Sequence, residues 1–116
     1  MKEDAYHNNI CLLIKLIRNY RGLKQDYVSY KSGFSDRSIY SKLESGKLKN
    51  LSLYKYNEIC TTIACDANKL MLIASVKEFR YQINSWSEFI DSVNKCDEEE
   101  KQKILTLIKE LFPNNN

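Results

Sequence analysis

The chain has 116 residues, of which 43% are hydrophobic and 28% are charged, values that are ordinary for a soluble globular protein. The chain contains three Gly and one Pro, the residues that most often mark turns, and this low number favours helices. Residues 1–9 are too polar for a secretory signal, and the apolar run 10–17 is too short and interrupted to span a membrane.

Charge is distributed unevenly along the chain. The formal net charge is +3, but residues 15–55 hold ten basic and three acidic residues, a net charge of +7. Residues 71–116 hold six basic and eight acidic residues, a net charge of −2. A basic segment beside an acidic one is typical of a polyanion-binding half joined to a half with another task, although a solvated basic face gives the same pattern.

The four cysteines do not have the spacing of a metal site. Cys11, Cys60, Cys65 and Cys96 form no close pair with zinc spacing, and His7 is the one histidine. We therefore expect no metal and no cofactor, and we expect reduced, mostly buried thiols in a cytoplasmic protein. The sequence also lacks a paired His and carboxylate site, a Gly-rich phosphate loop, and a Ser or Cys beside a base, so we expect no enzymatic activity.

Five short helices are predicted in the first part of the chain. Helical spacing of apolar residues predicts the first over 9–21, and Gly22 is placed to end it. The second covers 25–31, and Ser32-Gly33 is a turn signal. Ser35 is expected to cap the third, over about 36–45, which Gly46 ends. Ser52 and Asp66 are the expected N-caps of the fourth and fifth.

The later residues carry a longer apolar stripe. Large apolar residues recur at alternating spacings of four and three from Leu72 to Val93, a heptad-like pattern with a possible break near Asn84. Ser85 with Glu88, and Asp97 with Glu100, have capping-box spacing, and the second pair is expected to open a last helix that ends at Pro113. The prediction is an all-α protein with no strand pattern.

The stretch GLKQDYVSYKSGFSDRSIYSKLESGK, residues 22–47, has the features of a helix-turn-helix. It resembles the lambda-repressor/Cro family of DNA-binding domains, and SLYKYNEICTTIACDANKL, residues 52–70, resembles the fourth and fifth helices of that fold. The matching features are Arg18, Gly22-Leu23, Gln25, Val28, Gly33, Ser35, Leu43-Glu44 and Gly46-Lys47. The resemblance implies a five-helix DNA-binding domain over 8–71, followed by a C-terminal helical extension over 72–113 and a disordered tail over 114–116.

The resemblance also implies roles for individual residues. Base-reading side chains are expected at the start of the third helix and one turn later: Asp36, Arg37, Ser38 and Ser41. Arg37 is the strongest candidate because a guanidinium can bind guanine O6 and N7 bidentately. Phosphate contacts are expected from Lys24, Gln25, Lys42, Lys47, Lys49 and Asn50.

One departure from the family pattern leaves the register open. The segment from Gly33 to Leu43-Glu44 is one residue longer than usual, so either Ile39 or Tyr40 takes the apolar anchor position. Arg18 and Glu44 stand where family members form an ion pair that joins the first helix to the end of the third.

These features predict a sequence-specific regulator of transcription that binds double-stranded DNA as a homodimer and represses. Two domains related by a two-fold axis would read half-sites about 34–36 Å apart. The dimer contact is expected from the late apolar residues: Trp86, Phe89, Ile90, Ile104, Leu107, Ile108 and Leu111. The alternatives are an extension packed on its own chain, and an antitoxin-type module that binds a partner protein through its C-terminal half.

Overall fold

The structure is a computed structural model that describes residues 3–79 and 82–113. Within those two ranges the chain is entirely helical, with seven α-helices and no strand. The helices are α1 (Glu3–Tyr20), α2 (Gln25–Lys31), α3 (Arg37–Glu44), α4 (Leu53–Thr62), α5 (Ala67–Val76), α6 (Trp86–Asn94) and α7 (Glu98–Leu111). The all-α prediction is confirmed, and the tail 114–116 lies outside the described residues.

Helix α1 is the centre of the fold. It begins six residues earlier than predicted, at Glu3, and contacts α3, α5 and α6. Leu12 and Leu16 share one side of the helix and Leu13 lies on another, yet all three are buried, because neighbouring helices cover more than one face of α1.

Side-chain caps fix most of the helix starts. Ser52, Asp66, Ser85 and Asp97 each accept a hydrogen bond from the backbone N–H three residues later, as the sequence predicted. The prediction that Ser35 caps α3 is wrong, because Asp36 occupies that position and accepts from Ile39 N–H.

The turn between α4 and α5 ends a helix without a glycine. Ala64 has a φ of +56°, and Cys65 N–H donates to the Cys60 carbonyl at 3.0 Å while Ala64 N–H donates to Thr61. This is the pairing of a Schellman motif, in which the residues three before and two after the cap also contact each other. The neighbouring Cys65 side chain lowers the pKa of Cys60.

The apolar stripe from Leu72 to Val93 does not form one helix. Helix α5 ends at Val76 and α6 begins at Trp86, with 77–79 and 82–85 in turns and extended backbone. Asn9, which is 1% exposed, donates to the carbonyls of Ala74 and Lys77 and accepts from Phe79 N–H. Because Asn9 satisfies these backbone groups, the chain can leave α5 at this point without burying unpaired polar atoms.

The C-terminal helices are part of the same core. A boundary after residue 71 would fall inside α5, and α7 packs along α5 and α6. Phe89, Ile104 and Leu111 have no exposed surface, so the chain itself covers these three expected dimer contacts. The other four, Trp86, Ile90, Leu107 and Ile108, are half-buried.

Candidate nucleic-acid interface

The turn between α2 and α3 is held from outside by α4. The ammonium of Lys55 donates to the carbonyls of Ser32 and Gly33, at 2.9 and 3.0 Å, and lies 4.9 Å from the centre of the Phe34 ring. Gly33 has a φ of +77°, a conformation that favours glycine. From the sequence, Lys55 was counted only as a positive charge, because no local pattern shows that α4 places its side chain at this turn.

An ion pair joins three helices behind the turn. Arg18 donates to both carboxylate oxygens of Glu44, at 2.5 and 2.9 Å, and Gln25 donates to the same carboxylate at 2.9 Å. Arg18 also donates to the Leu23 carbonyl at 2.7 Å. Burial lowers the pKa of Arg18, but the hydrogen bonds and charge of Glu44 outweigh that effect and leave the pKa raised. The start of α2 and the end of α3 are therefore fixed to α1.

Tyr40, not Ile39, points into the core. Tyr40 has no exposed surface and packs edge-on against Phe34, with ring centres 5.5 Å apart, whereas Ile39 is half-buried. The Tyr40 hydroxyl is buried and has no hydrogen-bond partner among the described residues. This choice of anchor sets the rotation of α3, which the sequence had left open by one residue.

The predicted base-reading residues fall into two groups. The carboxylate of Asp36 is occupied by the cap, since it accepts from Ile39 N–H and from the Ser38 hydroxyl, and these hydrogen bonds lower its pKa. Arg37 projects from the first position of α3 with an exposed side chain, and Ser41, one turn later, is half-buried. Of the four predicted base-reading residues, Arg37 and Ser41 are thus the two without a capping role.

Exposed basic side chains lie on α3 and in the segments before α2 and after α3. Lys24 precedes α2, Lys42 lies on α3, and Lys47 and Lys49 lie in the loop after it, and all four are exposed, as is Asn50. Gln25 is half-buried because its amide is engaged with Glu44. The predicted phosphate-binding residues thus lie on α3, at the start of α2 and in the loop after α3.

A histidine from α1 supports the loop that carries these lysines. His7 Nε2 donates to the Leu48 carbonyl at 2.8 Å and lies 3.5 Å from the Cys11 sulfur. Burial raises the pKa of Cys11 to about 12, so its thiol stays protonated at neutral pH. Sequence reasoning missed this role of His7 because the contact spans 41 positions along the chain.

Three tyrosines on α2 and α4 are exposed. Tyr27 and Tyr30 on α2 and Tyr54 on α4 are 46%, 79% and 70% exposed. Tyr27 and Tyr30 are three residues apart and share one side of α2, where Lys31 lies 6.0 Å from the Tyr27 ring centre. A phenol hydroxyl can donate to a phosphate oxygen, so these side chains add neutral donors to the basic surface.

The remaining features offer little for chemistry. Among the described residues no group of three His, Cys, Asp or Glu side chains could hold a metal ion. Cys11, Cys60 and Cys65 are buried, and Cys96 is half-buried. A depression of about 910 Å³ forms an open groove between α5 and α7, with Leu72, Val76 and Leu107 on its walls and Asp97, Glu99 and Glu100 at one end.

No single helix in the described part of the chain is long and apolar enough to cross a membrane. Helices α4 and α5 together have the required length and composition, but the pair is bent by 106°.

No protein-family model matches the sequence, and neither the comparison with curated proteins nor the comparison with solved structures gives a match. The function of the protein must therefore be inferred from the geometry of α2, α3 and the loops beside them.

Proposed function

We propose that the protein is a sequence-specific double-stranded DNA-binding regulator of transcription with a lambda-repressor-like helix-turn-helix, in which α3 enters the major groove. The observation that carries the proposal is the division of α3 into two faces. Tyr40, Leu43 and Glu44 are buried against the rest of the chain, while Arg37 and Lys42 are exposed among other basic residues. A short helix fixed from behind and basic in front suits insertion between two phosphate backbones.

The roles of the exposed residues follow from their chemistry. Arg37 is the proposed base reader, with Ser41 beside it, because a guanidinium can pair bidentately with guanine. Lys24, Lys42, Lys47, Lys49 and Asn50 are the proposed phosphate contacts, which add affinity without sequence information. Asp36 and Ser38 are proposed to act through the cap of α3, and Gln25 through Glu44.

Selection of bound duplexes from random DNA tests this function. We expect an enriched sequence, and an affinity for it that falls steeply as salt rises, because each phosphate contact releases counterions. Recovery of no preferred sequence would contradict base reading. A log-affinity that stays flat against log-salt would contradict the phosphate contacts.

We further propose that the protein acts as a homodimeric repressor. The half-buried apolar residues Trp86, Ile90, Leu107 and Ile108 are the part of the expected dimer surface that the chain itself does not cover completely. A two-fold dimer would present two copies of α3 to one face of DNA. Sedimentation at micromolar concentration, with and without the selected duplex, tests it, and a chain that stays monomeric in both would contradict it.

The open groove between α5 and α7 favours a second function. An antitoxin-type module would bind DNA through the same helices and a partner protein through the C-terminal half. The apolar walls and acidic end of the groove are suited to a basic, amphipathic segment of such a partner. A toxin subunit that co-purifies, and whose binding is lost in Leu72→Glu, would support this function over the homodimer.

A further inference from the structure

An acidic residue on α2 faces the proposed base reader on α3. Asp26 Oδ1 lies 3.4 Å from Arg37 Nε, and the two side chains are 80% and 62% exposed. Asp26 is in the first turn of α2 and Arg37 is the first residue of α3, so the pair bridges the two helices at the exposed end of the turn.

Asp26 places a negative charge on a surface that is otherwise mainly basic. Residues 15–55 are all described and contain three acidic residues. Asp36 caps α3 and Glu44 forms the buried pair with Arg18, so both have a structural role. Asp26 makes no buried contact, and its carboxylate would repel the phosphates that the neighbouring lysines attract.

Stability does not explain the Asp26–Arg37 pair. An ion pair between two side chains that are more than half exposed adds little to the free energy of unfolding, because water screens the charges. What such a pair does change is the direction in which a long, flexible side chain points. A guanidinium that is already oriented loses less conformational freedom when it binds.

The geometry leaves the other side of the guanidinium free. Asp26 engages Arg37 at Nε, so the two terminal nitrogens remain available as a donor pair. A donor pair of this kind matches guanine O6 and N7 in the major groove. A carboxylate on one side of the guanidinium and a base on the other would together hold Arg37 in one orientation.

We propose that Asp26 is a positioning residue that sets the base specificity of Arg37. The inference rests on the proposed DNA-reading function and adds to it a residue that determines specificity. The charge of Asp26 lowers the affinity for all DNA sequences. Its contact with Arg37 increases the discrimination at one base pair. Both effects must therefore appear together when the carboxylate is removed.

The test uses the duplex selected by the full-length protein and variants of it with one base pair changed. The position that Arg37 reads is the one where Arg37→Ala loses its preference. At that position we expect Asp26→Asn to lower the discrimination about fivefold or more, while the affinity for a random duplex rises about twofold. Asp26→Glu, which keeps the charge, is expected to restore part of the discrimination.

The controls separate positioning from a general effect of charge. Asp91→Asn removes an exposed carboxylate from α6 and is expected to leave the discrimination unchanged. In an Arg37→Ala background, Asp26→Asn is expected to change the discrimination no further, because Asp26 acts through Arg37. The thermal midpoint of Asp26→Asn should stay close to that of the unaltered protein.

Each other outcome overturns a definite part of the proposal. If Asp26→Asn raises affinity for all duplexes equally and leaves the preference intact, Asp26 is only a repulsive charge. If its effect persists without Arg37, Asp26 touches DNA itself. If the full-length protein selects no sequence at all, the DNA-reading function fails first, and the role of Asp26 fails with it.

Discussion

The backbone N–H of Asp66 donates to the carbonyl of Leu111 at 2.7 Å, joining the start of α5 to the last turn of α7. Three further contacts strengthen this junction. Arg21 donates to the Ala64 carbonyl at 2.6 Å and lies 4.7 Å from the centre of the Phe112 ring, and Lys69 pairs with Glu110 at 3.0 Å. The end of α7 and the residue after it are thus tied to the corner between α4 and α5.

Removal of the C-terminal helices should therefore unfold the protein. Deletion of residues 72–116 would cut α5 and remove Ile73 and Ala74 from the core, so a folded, monomeric DNA-binding fragment is not expected. A smaller change tests the same contact surface: Ile104→Ala should cost about 2–5 kcal/mol of the free energy of unfolding in urea, because Ile104 is completely buried. Thr106→Ala, at an exposed position of α7, is the matched control and should cost far less.

The buried Arg18–Glu44 pair should be costly to break from one side. Glu44→Ala leaves the Arg18 guanidinium buried without a counter-charge, which we expect to cost about 3–5 kcal/mol. The double variant Arg18→Met with Glu44→Leu removes both charges and should recover much of the loss. Equal destabilisation by the single and the double variant, measured by urea unfolding, would show that packing rather than charge pairing matters here.

Replacement of Tyr40 by Phe should remove a buried polar atom without a loss of stability. The hydroxyl is buried without a hydrogen-bond partner among the described residues, so Tyr40→Phe should leave the thermal midpoint unchanged or raise it. Tyr40→Ala should instead lower the free energy of unfolding by about 3–5 kcal/mol, through loss of the ring from the core. A clear fall in the midpoint of Tyr40→Phe would mean that the hydroxyl has a partner in solution.

Gly33 should resist substitution for two reasons. Its φ of +77° is unfavourable for a residue with a side chain, by about 1–2 kcal/mol, and an added Cβ would lie 3.1 Å from the Lys55 ammonium. Gly33→Ala should therefore lower the thermal midpoint. Gly22→Ala is the matched control, because its φ is +71° but no atom lies within 4 Å of an added Cβ. Gly33→Ala should be the worse of the two, and equal effects would exclude a contribution from Lys55.

Lysines on different surfaces should differ in their effect on DNA binding. Lys47→Ala should weaken binding to selected and random duplexes about equally and reduce the salt slope by about one, as loss of a phosphate contact would. Lys103→Ala, in the groove between α5 and α7, should change neither quantity. Fluorescence anisotropy titrations at several salt concentrations measure both, and identical behaviour of the two variants would remove the loop after α3 from the interface.

Local signals in the sequence determined most of the helices. The bounds of α2 were predicted as observed, and Ser52, Asp66, Ser85 and Asp97 cap the helices that they were expected to cap. These features depend on hydrogen bonds and φ angles within a few residues of one another, so a single sequence contains them. The same reasoning failed at α3, where Ser35 and Asp36 are both good caps and only the packing of Tyr40 decides between them.

The tertiary structure alone decided which late apolar residues lie inside the chain. The alternating spacing of four and three from Leu72 includes Ile90 and skips Phe89, yet Phe89 is completely buried and Ile90 is half-buried. It also decided the partners of Lys55 and Asp26, which no spacing in the sequence indicates. The physical reason is the same in each case: burial and pairing depend on how separate helices pack in space, whereas a helical period specifies only one face of one helix.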